Sequence, residues 1–158
     1  MNWSEVCAHP SLRDLPFKIE LNEWGQIVMS PVKVRHSIFQ GEIEALLRSL
    51  KPEGKVAPEC AIRTRKGTKV ADIVWMSQER YHIVKNEDEC SIAPEICIEV
   101  ISASNTQQEM LEKKDLYFEQ GAEEMWFCDS QGQLQFYNPE GELKHSQRVP
   151  AFPQKIQL

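Results

Sequence analysis

Two acidic residues stand where acids are uncommon. Asp72 lies just inside the run Val70-Ala71-Asp72-Ile73-Val74-Trp75, and Glu99 lies in the middle of Ile96-Cys97-Ile98-Glu99-Val100-Ile101. Both runs are apolar, β-branched and of strand length. A strand apolar at nearly every position is one covered on both faces, as in a central or parallel sheet. A carboxylate there must be paired, protonated or placed on a metal, because burying it bare costs several kcal/mol or more. Two such acids brought together repel, and they stay ionised only beside a divalent cation or a lysine. Hard cations such as magnesium are held by one or two carboxylates plus waters, with a substrate phosphate completing the shell. A metal so held lowers the pKa of its water and screens a scissile phosphate, while an ammonium orients that water or stabilises developing charge. The bland counterparts are a salt-bridged acid at a strand end and a buried ion-pair triad that contributes little net stability.

The next segment supplies the cation. Thr106 followed by Glu109 is a capping-box signature, and Gly121 suits the residue past the helix end. Between them Met110, Leu111, Tyr117 and Phe118 recur at helical spacing, which predicts about four turns of amphipathic helix after the Glu99 strand. Lys113 and Lys114 both lie on or beside the apolar stripe. At about 100° per residue Lys114 falls nearer its centre and Lys113 on its flank. A lysine in that position is commonly a snorkelling side chain with its head in water.

Several further elements must position these residues. The first 15 residues are weakly patterned and read as a short helix or docking arm. Phe17 to Leu21 alternates apolar and polar, Asn22 to Gly25 reads as a turn, and Ile27 to Met29 returns as a partner strand. From Val34 to Leu50 the period becomes helical, with Phe39, Ile43, Leu46, Leu47 and Leu50 on one face, Glu42 at its border and Glu44 pointing away. Val56 to Ile62 and Lys69 to Trp75 read as strands joined by a basic turn, and Ser77 to Glu89 as a loop or short helix. After Gly121 come Met125 to Cys128 and Leu134 to Tyr137 as strands, with a weak final strand from Glu142. Grouped strands with a helix on each side predict an α/β fold around a mixed sheet.

At 158 residues the chain has the length of one domain, taken as residues 1–158. Its 41% hydrophobic and 27% charged content is that of a soluble globular protein. No run reaches membrane-spanning length, and Met1-Asn2-Trp3-Ser4-Glu5 has neither a basic start nor an apolar core. Cys7, Cys60, Cys90, Cys97 and Cys128 are scattered without a C-x-x-C pair, which points to reduced thiols in the cytoplasm and to no zinc spacing. A net charge of −6 argues against holding nucleic acid by bulk charge. Arg63, Arg65, Lys66 and Lys69 nevertheless cluster without an acid among them and could touch phosphates, or form only a solvated face.

The wording is more specific than the spacing. The segments Val70-Ala71-Asp72-Ile73-Val74, Ala93-Pro94-Glu95-Ile96-Cys97-Ile98-Glu99-Val100-Ile101-Ser102, Glu112-Lys113-Lys114 with Leu116-Tyr117 and Gly121, and Glu124-Met125-Trp126-Phe127-Cys128-Asp129 occur in that order. Together they resemble the Uma-two family, small restriction-endonuclease-like proteins of the PD-(D/E)XK nuclease superfamily, over roughly residues 25 to 140. The resemblance implies a restriction-endonuclease-like core, a mixed β-sheet flanked by helices, here with an added N-terminal strand pair and a C-terminal hairpin. It implies hydrolysis of DNA phosphodiester bonds dependent on Mg²⁺ (or Mn²⁺). By position, Asp72 matches the first acid of the motif and Glu99 the second, both as metal ligands. The lysine usually found two residues after the second acid is replaced here by Ile101. The family pattern places a lysine four residues before the tyrosine, which selects Lys113 for the water. Glu42 could be the extra acid that some superfamily members use. Ala71 and Ala103 stand where the pattern has proline.

A small nuclease acting on duplex DNA commonly needs two active sites, so a homodimer is expected. The strand of Trp126-Phe127 and the hairpin of Leu134 to Tyr137 are candidates for core first and interface second. The alternative is a catalytically silent nuclease-fold protein that binds nucleic acid or a protein partner, consistent with the acidic charge and with the lack of a target-recognition segment.

Overall fold

The computed structural model describes residues 1–158. Helix α1 (Trp3–Ala8) and a single 3-10 turn lead into a hairpin of β1 (Phe17–Leu21) and β2 (Ile27–Pro31). Then follow α2 (Val34–Leu50), β3 (Lys55–Thr64), β4 (Gly67–Met76), α3 (Gln78–Val84) and β5 (Ile96–Val100). The chain continues with α4 (Gln107–Glu119), β6 (Glu124–Cys128), β7 (Leu134–Asn138) and β8 (Gly141–Leu143). Six strands form a mixed sheet in the order β3-β4-β5-β6-β7-β8, in which only β5 and β6 run parallel. The β1–β2 hairpin is a separate two-stranded sheet. No helix is long and apolar enough to cross a membrane.

Local chemistry explains the element ends. Thr106 accepts the backbone N–H of Glu109 at 3.1 Å and starts α4, and Gly121 follows its end at a φ of +105°. Ser77 accepts the N–H of Arg80 and starts α3, the short helix that was one of the two expectations for this segment. On one face of the sheet, Phe39, Ile43 and Leu47 of α2 pack with Ile73, Trp75, Ile96, Ile98 and Trp126. On the other, Met110 and Tyr117 of α4 and Val84 of α3 pack with Val74, Cys97, Met125 and Phe127. Both faces being covered is why every residue of β5 and of β6 is buried.

The C-terminal segment departs from the expected strand. Only Gly141–Leu143 forms a strand, and the rest loops back, bridging Lys155 to Gln133 and burying Val149, Phe152 and Ile156 against the α2 face. Buried Glu124 collects this tail, accepting the Ser146 hydroxyl at 2.6 Å and the Gln147 and Arg148 amides at 3.0 and 2.9 Å. A carboxylate thus satisfies donors that a strand partner would otherwise have taken. Trp126 stacks edge-on to Phe136 and lies against Phe152, so this pair of strands is core.

Candidate active site

The site begins where the sheet forks. β4 and β5 pair only from Trp75 opposite Ile96 to Ile73 opposite Ile98. Past Ile73 the ladder stops, and the N–H of Val100 donates to Asp72 Oδ2 at 2.8 Å. On the other flank of β4, Pro58 and Cys60 pair with Ile73 and Ala71, and Glu59 between them takes a φ of +48°. That left-handed conformation is costly for a side chain with a Cβ, and it distorts the edge strand opposite Asp72.

Into the fork project the two acids of the central strands, each 2% exposed. Asp72 Oδ1 and Glu99 Oε2 share one cation, the ammonium of Lys18 from β1, at 3.0 and 3.2 Å. Glu99 Oε1 accepts Lys113 Nζ at 2.7 Å and the Tyr117 hydroxyl at 3.2 Å. Lys113 also lies 2.7 Å from Glu20 Oε2, which accepts the N–H of Val70 at 2.7 Å. His36 Nε2, on the first turn of α2, stands 3.2 Å from Asp72 Oδ2, while its buried Nδ1 has no partner. The pocket over these groups holds about 40 Å³ and is lined in part by Ser30, Pro31 and Val32 at the hairpin exit.

The charges are mutually dependent. Burial opposes ionisation of Asp72, but the His36 hydrogen bond and the Lys18 charge outweigh it and hold the carboxyl well below the usual range. Burial pushes Glu99 up to about 7 against the pull of Lys113 and Lys18. Burial likewise disfavours charge on Lys18, yet Glu99 and Asp72 together hold its ammonium above the ordinary value. The hydrogen bond to Asp72 raises His36. Glu20 is held low, its burial outweighed by Lys113 and Lys18.

The structure therefore brings Asp72, Glu99 and Lys113 together. Lys114, which the helical wheel centred, instead lies over the Tyr137 ring at 4.9 Å. Glu42 is exposed, and His36 is the α2 residue that reaches Asp72. The basic turn is spent within the chain: Arg63 pairs with Glu89, Arg65 with Glu119 and Lys66 with Glu112, each at 3.2 Å, and Lys69 donates to the Leu21 carbonyl. Glu89 after α3 and Glu112 and Glu119 of α4 thus neutralise the first three of these cations. A different basic surface adjoins the site, a groove of about 510 Å³ lined by Lys33, Arg35, Phe39, Ile101, Ser102 and Ser104.

Lys18, Glu20, His36 and Tyr117 escaped the sequence reading. The alternation of Phe17 to Leu21 is visible in the sequence, but alternation alone does not say which side faces inward. In the fold, Phe17 is 45% exposed and Lys18 and Glu20 face inward. His36 extends the stripe of Phe39 and Ile43 by one turn, a signal present at the i, i+3, i+7 spacing.

Two cation-sharing carboxylates are the donor set of a hard divalent metal, which needs only one or two carboxylates besides water and phosphate. Asp72 Oδ1 and Glu99 Oε2 fit that role, because they already converge on a single positive charge.

A family model, Uma2, described as "Putative restriction endonuclease", matches residues 5–158. Among solved structures, the chain is similar to a "putative nuclease belonging to DUF820" from Anabaena variabilis. That likeness has a TM-score of 0.71 and 21% identity, covering 90% of this chain and 82% of the other, and it shows the shared fold. None of the curated proteins matches the chain.

Proposed function

The chain belongs to the Uma2 family of restriction-endonuclease-like proteins, and from that premise we propose that it is a Mg²⁺- or Mn²⁺-dependent endonuclease that hydrolyses phosphodiester bonds in DNA. One observation supports the reading most: Asp72 and Glu99, buried at a fork in the sheet, converge on a single cation with Lys113 alongside. Asp72 and Glu99 would hold the metal, which when bound supplies Lewis-acid charge and a more acidic water. The chain's own groups do the positioning. His36 and the Val100 amide fix Asp72, and Tyr117 fixes Glu99. Lys113, bridged between Glu99 and Glu20, presents its ammonium to orient a nucleophilic water. The groove of Lys33, Arg35, Ser102 and Ser104 supports a phosphate backbone running past the carboxylates. The protein acts as a homodimer in this reading, to cut both strands of a duplex.

Incubation with plasmid and single-stranded DNA in Mg²⁺ or Mn²⁺ tests this. Metal-dependent cleavage is expected, slowed by about 10²-fold or more in Asp72→Asn and Glu99→Gln. Folded protein that cuts no DNA with either metal would favour a second reading, a silent site on a nuclease fold that binds nucleic acid or a protein partner. The Lys18 ammonium between the acids is the observation on that side.

A further inference from the structure

We infer that Lys18 holds the metal's place in the metal-free protein, so that the β1–β2 hairpin and a divalent cation compete for the same two oxygens. This rests on the metal-site reading above and goes beyond it by assigning a role to a residue outside the nuclease motif. Lys18 Nζ lies 3.0 Å from Asp72 Oδ1 and 3.2 Å from Glu99 Oε2, the very atoms that fit a metal. An ammonium and a divalent cation cannot both sit there, since each needs that small volume and their charges repel. A lysine suits a removable cation, being a compact charge on a flexible four-carbon stem.

The surroundings agree. The pocket of about 40 Å³ has room for roughly one water, with Ser30, Pro31 and Val32 of the hairpin exit among its lining. A phosphate oxygen and a hydrated metal therefore enter only when Lys18 withdraws. The hairpin that carries Lys18 is a two-stranded sheet of its own, held to β4 by Glu20 on the Val70 amide and by Lys69 on the Leu21 carbonyl. Such a pair of strands has little stability by itself, so its Lys18 end can move once a metal supplies the charge that Lys18 gives the two acids. Lys113, by contrast, is tied to Glu99 through the other carboxylate oxygen and does not block the shared position. Lys18 thus sets the metal affinity, lowering it by the fraction of time that the ammonium is seated.

Calorimetric titration of Mg²⁺ into the metal-free full chain tests this through Lys18→Gln and Lys18→Arg. Lys18→Gln should bind Mg²⁺ at least about tenfold more tightly than wild type, whereas Lys18→Arg, which keeps the plug, should not. A Lys18→Gln protein that folds only when Mg²⁺ is added supports the same exchange. A second measurement needs no variant: amine acetylation of the wild type, followed by mass spectrometry, should label Lys18 slowly without metal and severalfold faster with Mg²⁺. Metal binding that is unchanged or weaker in Lys18→Gln, or Lys18 labelling that Mg²⁺ leaves unchanged, overturns the inference while leaving the metal site intact. Absence of Mg²⁺ binding in every folded form overturns both.

Discussion

Asp72 satisfies three donors with two oxygens, namely Lys18, His36 and the Val100 amide. Each donor has a consequence that can be measured. In EDTA, His36 has a folded pKa raised above its ordinary 6.5 by the Asp72 hydrogen bond. Its contribution to stability is therefore fully present below that unfolded value and is lost as the pH rises through the folded one. Urea unfolding of wild type and His36→Gln should show a stability difference that shrinks from pH 6 to pH 9, and a constant difference would contradict the assignment. Lys113 and Lys114 separate as sharply. Lys113 touches Glu99 and Glu20, so Lys113→Ala should slow DNA cleavage by about 10²-fold. Lys114 rests on the Tyr137 ring, worth about 0.5–1 kcal/mol, so Lys114→Ala should cost stability and spare cleavage. The reverse order of effects would move the site one residue along α4. The acids were legible because a charged residue inside a strand apolar on both faces has few explanations. The choice between neighbouring lysines was not, since a wheel gives direction about the helix axis but not what the opposing strand offers.

Elements separate the two buried acids at the fork from a third that holds the fold together. Glu124, as buried as Asp72 and Glu99, spends its oxygens on Trp126 Nε1, Ser146 and the amides of Gln147 and Arg148. Glu124→Gln should destabilise the fold by about 2–4 kcal/mol in thermal unfolding while leaving Mg²⁺ affinity unchanged. A loss of metal binding would place Glu124 in the site instead. The difference lies in donors: local amides surround Glu124, whereas lysines from β1 and α4 surround Glu99. The order of strands and helices was readable from periodicity, because α2, α4 and the central strands each keep one period throughout. The β1 facing was not readable. Its polar side packs on the charges of the fork rather than on water, and alternation alone carries no sign. The short β8 of the expected hairpin is present, but the path of the tail beyond it was not readable, because the buried Glu124 carboxylate binds it through Ser146, Gln147 and Arg148.

At the scale of the whole molecule, a chain of net charge −6 that acts on DNA as proposed would find it through local charge. The basic turn of β3–β4 is neutralised by Glu89, Glu112 and Glu119, whereas Lys33 and Arg35 flank the groove beside the carboxylates. Fluorescence anisotropy with a labelled oligonucleotide should find binding weakened by Lys33→Glu and Arg35→Glu, with the salt dependence reduced by about 0.7–0.9 in slope for each cation lost. Arg65→Glu should leave binding within about twofold, being a surface pair of small worth; the opposite ranking would return the phosphate path to the turn. Mn²⁺ titration followed by electron paramagnetic resonance tests whether Asp72 and Glu99 together form one divalent-cation site. One bound Mn²⁺ per chain is predicted for the wild type, lost in both Asp72→Asn and Glu99→Gln and retained in Glu124→Gln. Mn²⁺ that binds equally to the wild type and to both site variants would contradict it.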